Sequence, residues 1–240
     1  MFDQATDEYD RGRPDYPAEV YDALGPIEGS VILEGGAGTG VASRALLSRG
    51  ARVVPFDTGW KMLSRAVAHS PELPGVLADG AYLPFRSHCA DLVCYAQSWH
   101  WLDSDRRCEE TARVLFPGGR WAGWWSQPRA DDDEWFAAYW TAIESACTGT
   151  NRSTRDTDWG QELERSQLFI VDNRVTAPWT RSCTVERWLT DQRSHSYVVG
   201  LPDSDREQLM GDLGTIVRNH FPGGLMEVPN ETWLWIAHLI

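Results

Sequence analysis

Residues 31–40 read VILEGGAGTG. Three apolar residues, Val31–Leu33, lead through one acid into glycines at 36, 38 and 40, and Val41–Leu47 continues with helical spacing. That order predicts a buried strand, a tight turn and a helix ending near Gly50. Glycine at alternate positions lets the backbone take left-handed angles and lets a ligand approach the start of the helix closely. The same glycines also suit a tight turn that holds nothing. A dinucleotide turn would carry GxGxxG; here the third position is Val41, and Gly40 comes one residue early.

Outward from this stretch, short apolar runs alternate with helical patterns. Arg52–Phe56, Val76–Ala78, Asp91–Ala96 and Trp121–Trp125 read as strands; Trp60–Ala68 and Asp105–Leu115 read as helices, with FPGGR (116–120) as a turn before the fifth strand. Such alternation implies an α/β fold: a doubly wound, Rossmann-like, mostly parallel sheet with helices on both faces and ligands at the strand C-terminal ends. Past residue 126, ADDDEWFAAYWTAIESA reads as a helix with an aromatic stripe at Trp135, Phe136, Tyr139 and Trp140, of the kind that usually fills a core. Residues 148–158 read as a polar loop. Leu168–Val175 and Leu225–Leu239 read as strands, and Val185–Arg193 and Ser204–Asn219 as helices. We take residues 1–240 as one domain with an N-terminal lid (1–28) and a cap inserted after strand 5 (126–166).

Two acids sit at strand ends. Asp57 closes the second strand, about twenty residues after the glycines, where a carboxylate can accept both hydroxyls of a ribose or cap the next helix. Asp79, in LADGAYLPF, can accept from an adenine amino group with Leu83 or Phe85 against the ring, or can form an Asx-turn before Gly80.

Together these residues resemble the class I S-adenosylmethionine (SAM)-dependent methyltransferases. Residues 34–40 (EGGAGTG) are similar to that family's first motif, Asp57 to its second, Asp79-Gly80-Ala81 to its third, and RVLFPGGRW to the turn before its fifth strand. YDRGRPDYP (9–17), QSWHWLD (97–103) and SHSYVVGLP (194–202) resemble one branch, small-molecule enzymes similar to trans-aconitate methyltransferases, so the likeness spans nearly the whole chain. It implies a seven-stranded sheet and SAM as cofactor, with S-adenosylhomocysteine (SAH) as product. It further implies that Gly35, Gly36, Ala37, Gly38 and Gly40 lie under the methionine part, with Glu34 near its amino group. Asp57 would hold the ribose, Asp79 with the backbone at Gly80 would read the adenine, and Thr58, Met62 and Ala81 would belong to the same cofactor site. Gln97 and the lid residues Arg13 and Tyr16 would complete the cofactor site. Gly35 departs from the family, standing where an apolar residue is usual and loosening the turn. Pro55 is also unusual, because it removes a ladder donor.

A sulfonium methyl group is already activated, so the enzyme must chiefly align the reactants and exclude water. Where an acceptor needs a base, His100 is the candidate, with a structural histidine between Trp99 and Trp101 as its alternative. Tyr9, Trp99, His100, Trp101, Trp124, Trp125 and His195 are the candidate substrate residues.

Composition narrows the partners. A net charge of −13 with no basic cluster disfavours nucleic acid, no apolar run is long enough to span a membrane, and the acidic start suits neither a secretory signal nor a transit peptide. A cytoplasmic location follows by default. The five cysteines show no metal spacing, and Asp131–Asp133 reads as a solvated helix start, so no metal is expected. The oligomeric state is not legible. Two other readings stand beside the methyltransferase: a SAM-binding protein of this fold that transfers nothing, and an NAD(P) oxidoreductase, which fits Asp57 but not Val41 or Asp79.

Overall fold

The structure is a computed structural model of the chain and describes residues 12–150 and 157–240. Its strands are β1 (Val31–Gly35), β2 (Arg52–Asp57), β3 (Val76–Leu77), β4 (Ala90–Ala96), β5 (Leu115–Pro128), β6 (Phe169–Thr184) and β7 (Leu225–Leu239). They form one seven-stranded sheet in the order β3-β2-β1-β4-β5-β7-β6. The pairs β3/β2, β2/β1, β1/β4 and β4/β5 are parallel. Ile240 donates to the Leu168 carbonyl and Val185 to that of Gly224, so β7 runs antiparallel to β6 and the sheet is mixed. This is the Rossmann-like arrangement expected from the alternation of elements.

The helices are α1 (Ala18–Asp22), α2 (Val41–Leu47), α3 (Trp60–His69), α4 (Arg107–Val114), α5 (Glu134–Ala146), α6 (Gly160–Ser166), α7 (Val185–Arg193), α8 (Ser196–Val199) and α9 (Asp203–His220). Two of these, α6 and α8, and the extension of β6 to Thr184 carry too little periodicity to be read from sequence. The FPGGR turn is absorbed into β5. Ala90 pairs with Leu115 and Leu92 with Arg120, so residues 116–119 bulge from the ladder, with Gly118 at φ 73°. Pro55 precedes Phe56, the first β2 residue that β3 pairs with, where a missing donor costs least.

The chain divides into two compact units. The sheet unit holds residues 15–126, 158–177 and 232–240. Strand alternation gives it two cores. Ile32, Val53, Leu92, Cys94 and Trp124 face one side with Tyr21 and Leu46; Leu33, Val93, Tyr95, Trp121 and Trp125 face the other with Val114 and Leu163. The helical unit holds residues 12–14, 127–150, 157 and 178–231. In it α9 packs on α5 and α7 around Trp135, Phe136, Tyr139, Trp188, Leu213 and Val217, so the aromatic stripe of α5 is core.

Candidate active site

The glycine turn sits where β1 meets α2, between the ends of β2 and β4. Gly36, Gly38 and Gly40 have φ of 62°, 57° and 78°, angles that L side chains rarely adopt. A Cβ on Gly36 would stand 2.4 Å from that of Ser98, whose hydroxyl donates to the Gly35 carbonyl at 2.6 Å. Gly35 itself has no positive φ. Its missing side chain is replaced by rings: a Cβ there would meet Tyr95 Cε1 at 2.2 Å and Phe56 Cζ at 2.7 Å. The expected loosening is therefore absent, because β4 and β2 supply the apolar bulk that β1 lacks.

Asp57 pins the turn from below. Its Oδ2 accepts from the Gly38 N–H at 2.9 Å and its Oδ1 from the Gly59 N–H at 2.7 Å. Thr58 beside it is exposed and Met62 is buried. Ala37, buried in the turn, donates to the Phe56 carbonyl. Glu34 is 1% exposed and accepts from the Ser43 hydroxyl of α2. Burial lifts its carboxyl to about 8; Asp57 adds to the rise, while Ser43 and Arg44 oppose it. The Tyr21 phenol and the Thr39 hydroxyl are buried nearby with no hydrogen-bond partner among the described residues. The Tyr16 ring packs edge-on against Trp124, 5.8 Å between centroids.

Asp79 is exposed and forms the Asx-turn, its Oδ1 accepting from Ala81 N–H at 2.9 Å. Gly80 is needed for close approach, since a Cβ there would lie 2.4 Å from Leu102 Cδ2. The following Leu83-Pro84-Phe85 segment is clamped from α4. Glu110 accepts from Leu83 N–H, and Arg113 donates to the Leu83 and Phe85 carbonyls.

The end of β4 is strained. Gln97 has φ 56°, and its N–H donates to the Trp124 carbonyl. Trp99 is fully buried against Tyr95 and Trp121, with its Nε1 donating to Glu162. Arg107 grips the same carboxylate through Nε and Nη2 and donates from Nη1 to the Trp99 carbonyl. The structure thus makes Trp99 a core residue. Trp101 is 56% exposed. His100 presents an edge to solvent, and its Nδ1 accepts from Trp125 Nε1 at 3.2 Å. Burial of the ring and the Arg107 charge pull its pKa down to about 4.

Trp124 and Trp125, both candidate substrate residues, lie on opposite faces of the sheet. The two-residue period of β5 sends Trp124 to Tyr16 and Tyr21, and Trp125 to the opposite face, stacked on Trp159 at 5.0 Å and edge-on to Trp235 at 5.6 Å.

In the helical unit, Arg13 and His195 meet at Asp191. Arg13 Nε lies 3.4 Å from Asp191 Oδ1, Arg181 Nη1 2.6 Å from Oδ2, and His195 Nδ1 2.9 Å from the Asp191 carbonyl. Asp191 is held near 2 by Arg13 and Arg181 against the cost of its burial, and burial with Arg13 brings His195 down to about 4. Within its own unit Arg13 is thus paired with Asp191. A groove of about 740 Å³ between α7 and α9 includes Arg187, Arg193, Glu207 and Met210, and none of the sequence-predicted residues lines it. Tyr9 lies outside the described residues.

Residues 33–122 match the family described as "Methyltransferase domain". Over 220 residues the chain is 40% identical to an uncharacterized methyltransferase of Mycobacterium tuberculosis strain H37Rv, covering 91% of this chain and 86% of that protein. The chain belongs to the class I SAM-dependent methyltransferases. A methyltransferase-like protein of Schizosaccharomyces pombe is 28% identical across 88% of this methyltransferase and 83% of its own length. The fold is shared with a proposed type II methyltransferase of Anaeromyxobacter dehalogenans (TM-score 0.70, 19% identity, 94% of this chain and 97% of that one). It is also shared with a geranyl diphosphate C-methyltransferase of Streptomyces coelicolor solved with SAH (TM-score 0.53, 14% identity, 93% and 74%).

The methyltransferase's cradle fits SAM. A left-handed glycine turn leaves no Cβ in the way, a carboxylate is fixed at the end of β2, and the Ser43 hydroxyl meets the buried Glu34 carboxyl. Sequence reading missed Trp159, Trp235, Arg107, Glu162, Glu110 and Arg113, whose partners lie 27 to 110 positions away in the chain for most of these contacts, beyond any local pattern. Among the described residues no cluster suits a metal ion, and no helix is long and apolar enough to cross a membrane.

Proposed function

We propose that this methyltransferase transfers the SAM methyl group to a small organic acceptor, a metabolite or natural-product intermediate, in the cytoplasm. The observation that carries the reading is the turn itself. Three left-handed glycines form a cradle that Asp57 ties at Gly38, and Val41 stands where the pyrophosphate turn of a dinucleotide enzyme carries its third glycine.

SAM supplies a methyl group on a positively charged sulfur. Around it, residues 36–40 would lie under the methionine part and Glu34 would balance its ammonium. Asp57, with Thr58 and Met62 beside it, would hold the ribose, and Asp79, Gly80 and Ala81 would read the adenine. Ser98 and Gln97 would fix the distance between this cradle and the β4 end, where His100 and Trp101 would face the acceptor. Tyr16 would close the site over Trp124. The similarity to the trans-aconitate branch rests on the sequence motifs alone, and the acidic chain disfavours a polyanionic substrate.

Calorimetric titration with SAM, SAH and NAD, repeated on Asp57→Ala and Asp79→Ala, tests the cradle. Micromolar SAM or SAH binding that weakens in both variants supports it, and preference for NAD overturns it. Incubation with methyl-labelled SAM and a panel of small acids, phenols and amines then tests transfer. Cofactor binding with no labelled product across the panel would favour the non-transferring alternative.

A further inference from the structure

The Trp125–His100 contact has directional content. An indole N–H is a donor only. With Trp125 Nε1 at 3.2 Å from His100 Nδ1, that ring nitrogen must present its lone pair, and the neutral imidazole carries its proton on Nε2. We infer that His100 serves the methyl acceptor as an Nε2–H hydrogen-bond donor, not as a base, and that Trp125 is the positioning residue that fixes this tautomer. The inference rests on the reading that the β4 end faces the acceptor.

The surroundings hold both rings in place. His100 lies 4.8 Å from Trp101 and 5.9 Å from Trp159 by ring centroids. Trp125 is stacked on Trp159, and its other neighbour, Trp235, donates from Nε1 to Asp158 at 3.0 Å. Among the described residues the charged groups around this cluster are Arg107 from α4, Glu162 from α6, Asp158 ahead of α6 and Arg174 from β6. Glu162 is taken up by Arg107 and Trp99, and Asp158 by Arg174 and Trp235. Among the described residues no carboxylate accepts from the His100 ring, so none of them rewards a second proton on it. Burial and Arg107 oppose the imidazolium as well. A proton placed on Nδ1 would also break the Trp125 bond. The acceptor must therefore arrive in its nucleophilic protonation state, oriented by a donated hydrogen bond.

Nitrogen-15 correlation of the histidine ring carbons and nitrogens tests this on the whole chain, with His100→Gln assigning the signals among the six histidines. The expected result is a bare Nδ1 and a protonated Nε2 throughout pH 6 to 8. Trp125→Phe keeps an aromatic stack but removes the donor. A hydrogen bond of ordinary net strength biases an equilibrium about fivefold, so the variant should raise the Nδ1–H share by about that factor and move ring protonation to higher pH. A protonated Nδ1 in the native chain, or an unchanged tautomer ratio in a variant that still binds SAH, overturns the inference. If Trp125→Phe does not fold, the native tautomer and its pH range decide alone. Movement of the His100 Nε2 signal on adding SAH supports the reading that β4 faces the cofactor; no movement overturns that reading while the tautomer result stands by itself.

Discussion

Replacing Glu34 by Gln keeps the shape of a fully buried side chain and its hydrogen bond with Ser43 while removing its charge. In the folded protein this carboxyl ionises at about 8, against an ordinary 4.5, because burial outweighs the help of Ser43 and Arg44. At about 1.4 kcal/mol per pH unit of displacement, full ionisation costs the fold about 5 kcal/mol, and about 3 kcal/mol is already lost at pH 7. The sign follows from which form the fold prefers. The protonated acid is favoured, so its contribution is complete below pH 4.5 and declines as pH rises towards 8. Glu34→Gln carries a neutral amide at every pH and escapes the decline. Urea unfolding followed by tryptophan fluorescence, on both proteins from pH 5 to 8, should show the variant gaining steadily on the native chain. The other titrating groups cancel in the difference. A cation bound beside Glu34 reverses the preference, so SAM binding at pH 7 should release most of one proton. Calorimetry in buffers of unlike ionisation heat reads that release, and Glu34→Gln should abolish it. A flat stability difference together with no proton release would refute the reasoning.

Four further outcomes are open to measurement. Gly35→Ala forces a Cβ into the Tyr95 ring and should cost about 1–3 kcal/mol; Tyr95→Leu should recover part of that loss in a double-mutant cycle of thermal melts. Asp57→Asn leaves acceptor capacity on one atom only, so SAH affinity should fall at least about tenfold by calorimetry, the equivalent of about 1.4 kcal/mol. Arg107→Ala strands Glu162 and the Trp99 carbonyl, and denaturant melts should show a loss of about 3 kcal/mol, eased when Glu162→Gln is added. His195 is neutral in the fold, so its stabilisation is complete above pH 6.5 and lost as pH falls towards 4; His195→Gln should flatten that acid limb in melts taken from pH 7 down to 4.

Much of this protein was written in local pattern. The alternation of three- to six-residue apolar runs with helical periods made β1 to β5 and their helices legible, because burial on both faces and one hydrophobic stripe leave strong, short-range signals. The glycines at 36, 38 and 40 were legible for the same reason: each left-handed angle demands a residue without a side chain at that position. The Asx-turn of Asp79 was one of the two readings that its place before Gly80 offered.

Other features depended on which distant groups the fold brings together. Gly35 read as a loosened turn because Tyr95 and Phe56, which fill its space, belong to other strands. Trp124 and Trp125 both read as candidate substrate residues, and the pleat of β5 sends them to opposite faces. Trp99 read as a pocket residue, although its packing on Trp121 and its bond to Glu162, 63 positions away, place it in the core. His100 could be named from sequence, but not its tautomer, since that depends on a proton donor 25 residues on. Sequence by itself determined which backbone positions must bend and which faces must be buried, because steric and hydrophobic demands act locally. Tertiary structure alone decided what each polar atom meets, because hydrogen bonds and burial belong to pairs that only folding assembles.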